Sequence, residues 1–189
     1  MLRKIPFETC AEILTRFDLS EAGAEAVQGT MSPEQAIDAL VAAAELPDLV
    51  NFLGHALPPR EGICWALAVT MDLSPALAGE VTDLVRSWVR EPQEATRHRL
   101  MQDMEKLTSD SVLYWLCAAV AWNGSGGIGA ADGPVVLPPP WLHSKALLGA
   151  IAIQMGRDQT ALTCALKAVH SRGSEVASGG WPALEVAVT

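Results

Sequence analysis

The chain has 189 residues, half of them hydrophobic, with 22 acidic side chains against 13 basic ones and a net charge of −9. That length suits one domain with ample material for a core. The acidic balance excludes a surface built to neutralise nucleic-acid phosphates or an anionic membrane. The apolar content is mostly Ala, Leu and Val, beside three Phe and one Tyr, a composition that favours helices.

Phe7, Cys10, Ile13, Leu14 and Phe17 recur at spacings of three and four, which predicts a helix over 7–17. Ser20-Glu21-Ala22 opens a short second helix ending near Gly29. Ser32-Pro33-Glu34-Gln35 is an N-terminus signature, with serine as N-cap, proline at the first helical position and glutamine reaching back. That helix should run to about Leu46, where Pro47 interrupts. A short helix over 48–56 meets the Pro58-Pro59 break, and a buried helix over 59–71 follows. Ser74-Pro75 repeats the cap-plus-proline pattern for a helix to about Arg90, and Pro92 opens another through Leu107. Ser109 or Asp110 caps a very apolar helix ending at Trp122. Residues 142–155 and 159–171 read as two more helices, and 172–189 as a tail that can dock on the body.

No segment alternates as a strand does. The expectation is all-α: a compact bundle of about eight or nine short helices in a single domain over 1–171. Its one long connection is the Gly- and Pro-rich stretch 123–140, longer than the ~12–15 residues usual for a structureless loop. Val135, Val136, Leu137 and Trp141 are expected to pin that loop to the body while its glycines span a gap.

The first residues lack the apolar run of a signal peptide, and the apolar runs 63–71 and 112–122 fall short of the ~20 residues of a membrane span. No membrane insertion is expected, and a cytoplasmic location is. Cys10, Cys64, Cys117 and Cys164 stand far apart among apolar residues, without a CxxC pair or zinc-type Cys/His spacing. They read as buried reduced thiols, and neither metal nor cofactor is expected. Gly124 to Gly129 spells GxGxxG, but a helix precedes it and a proline-bearing loop follows, so the dinucleotide reading fails. Arg86, Arg90, Arg97, His98 and Arg99 are interleaved with Glu91, Glu94 and Asp103, which reads as a solvated helix face with local ion pairs.

The densest chemistry is His55-Ala56-Leu57-Pro58-Pro59-Arg60-Glu61, with Cys64 and Trp65 one turn on. Two readings stay open. In one, His55 caps the preceding helix and Arg60 reaches a neighbouring helix's carbonyls or a carboxylate, with Glu61 on the positive end of the helix dipole. In the other, His55, Arg60, Glu61 and Trp65, with Val135, Leu137 and Trp141, form a surface for a ligand or partner. A Cys64 nucleophile with His55 as base needs a thiol of lowered pKa and a third orienting group. The sequence offers neither a second nearby histidine nor a glycine-framed nucleophile, so no catalytic residue is assigned. Among the six tryptophans, Trp65 and Trp115 read as core, and Trp122 and Trp141 as a clamp on the loop's ends. Trp181 reads as an aromatic docking on its own body or a partner.

His55-Ala56-Leu57-Pro58, Arg60-Glu61 and Trp65-Ala66 resemble a segment of an uncharacterised family of small helical bacterial proteins. Ala121-Trp122, Ser125-Gly126-Gly127, Pro138-Pro139-Pro140 and Lys145-Ala146 extend the likeness over roughly 35–155. The chain departs from the pattern at Cys64-Trp65, where a double tryptophan is common, and at Asn123-Gly124. Such genes tend to lie near type VI secretion machinery, so the resemblance implies an accessory or adaptor. The functional expectation is therefore a non-enzymatic interaction protein with a protein partner, such as a secretion-system component. A homodimer, a small-molecule-binding domain and a cysteine-dependent enzyme are the alternatives.

Overall fold

The computed structural model describes residues 2–129, 134–155 and 158–184. Among them the regular elements are all helical: α1 (Glu21–Ala26), α2 (Pro33–Ala42), α3 (Leu46–Ala56), α4 (Pro59–Leu73), α5 (Glu80–Arg90), α6 (Glu94–Met104), α7 (Val112–Ala121), α8 (Leu142–Ala152) and α9 (Gln159–Ala177). Short 3₁₀ turns occur at Ile13–Thr15, Pro75–Leu77 and Pro182–Leu184. No described helix is long and apolar enough to cross a membrane.

Two helices form the centre. Every residue of α4 from Gly62 to Thr70 is buried, as is α7 from Leu116 to Ala121. Around α4 pack α5, α7, α8 and α9, with α3 against α8 and α9, while α6 and α8 flank α7. An all-round apolar helix is stable only when enclosed in this way. Trp65 is fully buried, and its indole N–H donates to the Val169 carbonyl at 3.1 Å, tying α4 to α9. Gly149 lets α8 approach α7 closely, since a Cβ there would lie 2.5 Å from the Trp115 ring.

The Ser32 signature closes as a reciprocal capping box: Ser32 Oγ accepts from Gln35 N at 3.2 Å, and Gln35 Oε1 accepts from Ser32 N at 2.9 Å. Pro47 opens α3 within its first turn rather than interrupting a helix, and α2 ends at Ala42. Ala44 between them takes a left-handed φ of 57°.

Four expectations are corrected. Residues 7–17 are not an α-helix, because Cys10 N donates to the Met31 carbonyl at 2.9 Å and the chain is drawn onto the body; Cys10, Ile13 and Phe17 are buried all the same. Ser74-Pro75 opens only a 3₁₀ turn, and α5 starts after Gly79, whose N–H donates to Thr82 Oγ1 at 3.0 Å. Ser111, not Ser109 or Asp110, caps α7, accepting from Leu113 N. Ser109 instead gives its carbonyl to the Trp115 indole, and Asp110 bonds the Thr108 hydroxyl. Finally, α9 continues to Ala177, past the expected end at 171, where Lys4 N donates to the Ala177 carbonyl.

Candidate functional site

Pro58 and Pro59 turn the chain sharply from α3 into α4, with Pro59 at the first helical position, where its missing N–H costs nothing. Arg60 then projects toward the end of α5, its Nε donating to the Val89 carbonyl at 2.7 Å and its Nη2 to the Arg90 carbonyl at 2.8 Å. A cation at these orphan carbonyls complements the negative end of the α5 dipole. Glu61 accepts from Lys4 Nζ at 2.9 Å. The Trp181 ring lies under both cations, 4.6 Å from the Arg60 guanidinium and 5.3 Å from Lys4, so the aromatic docks on its own body.

Arg60 and Glu61 form one end of a surface groove. A cavity of about 590 Å³ is lined by Pro58, Pro59, Arg60, Glu61, Trp88 and Pro92, with Asn123 to Ser125 opposite. A cleft of about 210 Å³, lined by Trp122, Pro138 to Pro140, Trp141 and His143, shares Pro59, Asn123 and Gly124 with it. The two clefts therefore run together across the Pro58-Pro59 turn. Trp122 and Trp141, at the two ends of the loop, face one cleft.

Behind Trp141 lies His55, 1% exposed, with neither ring nitrogen hydrogen-bonded. It is not a helix cap. That role falls to Arg16, whose Nη1 donates to the His55 carbonyl at 2.8 Å. The Arg16 guanidinium also stacks 3.8 Å from the Trp141 ring and 4.7 Å from Phe7, and Phe17 stacks on His55 at 5.3 Å. Trp141 holds a left-handed φ of 62°, a strain of about 1–2 kcal/mol that these contacts sustain. Burial, then Lys145, His143 and Arg16, push the His55 pKa down to about 4. Burial does the same to His143.

The loop reverses two expectations. Arg97 is 1% exposed, not on a solvated face. It donates to the Ala121 carbonyl at 2.9 Å, to the Gly127 carbonyl at 3.1 Å, and to both oxygens of Glu94. Arg97 thus anchors the start of the loop, and the Glu94 carboxyl is held below its usual pKa chiefly by that bond. Val135, Val136 and Leu137 do not pin the loop; they are 81%, 50% and 62% exposed. A single backbone rung, Ile128 N to the Val136 carbonyl at 2.8 Å, joins them to the anchored limb. The glycines from 124 to 129 follow α7, and no helix opens directly after them among the described residues.

Of the sequence candidates, Arg60 and Glu61 meet at one end of the groove and Trp141 stands at the other, with His55 beneath it. Trp65 belongs to the core instead. Val135 and Leu137 sit outside the groove on the adjoining strip. The sequence reading missed Arg16, His143 and Arg97. His143 had a signal, since 143, 147 and 150 fall on one helical face and all are buried. Cys10, Cys64 and Cys117 are buried, and burial raises their thiols to about 11, 11 and 12. Cys164, by contrast, is exposed on α9. Among the described residues no group of three His, Cys, Asp or Glu could hold a metal ion.

The fold and groove define an all-helical protein with a surface channel walled by prolines and tryptophans. A family model described as "Family of unknown function (DUF6931)" matches residues 36–177, and the chain belongs to that family. No curated protein and no solved structure matches it. The matched span holds the groove walls and the exposed strip, whereas Lys4, Arg16, Phe17 and Trp181 lie outside it.

Proposed function

We propose that the protein is a non-enzymatic interaction protein, with the groove and the Val135–Leu137 strip as its partner-facing surface. The observation that carries this is the strip: three consecutive large apolar residues stand in solvent beside a proline- and tryptophan-lined channel. Apolar surface left uncovered in this way, next to a concave aromatic wall, is typical of protein-binding sites. The enclosed, proton-retaining Cys64 supports a binding role over thiol catalysis. The resemblance to helical bacterial proteins encoded near type VI systems supports a cytoplasmic accessory or adaptor of that apparatus.

The test is capture. Leu137→Asp and Val135→Asp proteins, tagged and recovered from the native host, should lose a partner that the parent retains. Each should keep a melting temperature within a few degrees of it. Capture of the same proteins by parent and variants would overturn the surface assignment.

A further inference from the structure

We infer that Glu61, at one end of the groove, is with the neighbouring Trp181 a receptor for an arginine side chain presented by an extended, proline-bearing segment of a partner protein, and that Lys4 occupies it in the partner's absence. The inference rests on the proposed partner groove and adds the chemistry of its occupant.

The chain displays that chemistry itself. Lys4 Nζ sits 2.9 Å from Glu61 Oε1 and 5.3 Å from the Trp181 ring centre, a carboxylate and an aromatic face converging on one cation. Lysine uses only half of the site, because Glu61 Oε2 has no partner among the described residues. A guanidinium can take both carboxylate oxygens in parallel, which an ammonium cannot. Arg60 makes no bond to the carboxylate: its Nε and Nη2 turn to the Val89 and Arg90 carbonyls and its guanidinium lies over the Trp181 ring, so the incoming side chain takes the place of Lys4.

Lys4 is also easily displaced. Its side chain is 35% exposed, so the ammonium can leave the carboxylate for water without crossing the core. Only the side chain has to move, because the Lys4 backbone stays bonded to the Ala177 carbonyl at 2.8 Å and Ile5 is buried. The occupant's remaining features follow from the walls. Prolines and Trp88 line the channel that leads from Glu61, and aromatic-lined grooves receive the preformed polyproline helix at low entropic cost. A basic partner also complements a chain of net charge −9.

The probe is the capped peptide acetyl-Pro-Pro-Arg-Pro-Pro-Leu-amide, with lysine and glutamine versions at the third position. Each is titrated into the isotopically labelled full chain while the tryptophan indole N–H signals are followed. The arginine peptide should shift the Trp181 and Trp88 signals and bind at least tenfold more tightly than the glutamine peptide, with lysine between. Glu61→Gln should abolish that preference, and Lys4→Gln should tighten arginine-peptide binding three- to tenfold. Equal binding of all three peptides at Trp88 and Trp122 would overturn the arginine receptor while leaving the groove intact. Movement of no groove tryptophan would overturn both.

Discussion

The two limbs of the 123–140 loop are secured by opposite means. The first, 123–129, is held by a cation inside the protein: Arg97, 1% exposed, spreads its donors over two backbone carbonyls and a carboxylate. The second, 134–140, carries three apolar residues in solvent, is joined to the first by the Ile128–Val136 backbone bond, and meets the body at Trp141, pressed under Arg16 and against His55. A buried guanidinium is stable when its N–H groups find acceptors. Nothing comparable fixes Val135 to Leu137, so their side chains remain available to a partner. Rigidity at one limb allows exposure at the other.

The largest test removes the rigid limb's anchor. Arg97→Met strands the Ala121 and Gly127 carbonyls and frees Glu94, at an expected cost of about 3–4 kcal/mol in urea unfolding. A loss below about 1 kcal/mol would mean that the limb does not depend on this cation.

Acid should loosen the other limb where Trp141 meets His55. His55, flanked by Arg16, Lys145 and His143, stays neutral in the folded chain until pH falls to about 4. The unfolded chain takes the same proton near the ordinary value of 6.5. With a lowered folded pKa, the unfolded state binds more protons between those values, so stability falls as pH falls through the window. From pH 7 to 5 the His55 share is about 2 kcal/mol. His55→Phe, which keeps a ring against Phe17 and removes both unpaired nitrogens, should lose that much less stability on acidification. An unchanged pH profile would remove His55 from the attachment.

How far these limbs were legible follows from the kind of interaction involved. The Ser32 box and the Pro59 helix start are local, and residue order announces them, whereas Arg60 reaches carbonyls far along the chain and its choice of carbonyl over carboxylate was open. Arg97 sits among other charges on α6, and no pattern there reveals that Ala121 and Gly127 come within its reach. The spacing of Phe7 to Phe17 identified an inward-facing set correctly, but Cys10 N bonds Met31 and the local bonds close only isolated turns and the 3₁₀ turn at Ile13–Thr15, not an α-helix. Val135 to Leu137 failed for a related reason: apolar character predicts burial on average, and this strip is where that average does not apply.

A finer test touches the anchor through its neighbour. A Cβ at Gly126 would stand 2.7 Å from Arg97 Nη2 and 2.8 Å from Glu94 Oε1. Gly126→Ala must therefore push the ion pair aside, costing about 1–2 kcal/mol. A change near zero would show that the pair can shift without loosening the loop, weakening the case for Arg97 as a rigid anchor.

The smallest stability effect belongs to the exposed limb, and it separates a working surface from an accidental one. Leu137 is 62% exposed, so Leu137→Ser removes little that folding buried. Its unfolding free energy should stay within about 0.5 kcal/mol of the parent. If Leu137 touches a partner, the same change uncovers apolar surface on both sides of the interface, and capture should fall at least tenfold, equivalent to about 1.4 kcal/mol. A stability loss well above 0.5 kcal/mol would instead mean that the strip packs on the body in solution and belongs with the rigid limb. Because Arg97→Met should do the reverse, weakening the fold first and binding only as a consequence, the two variants together separate the limb that supports from the limb that binds.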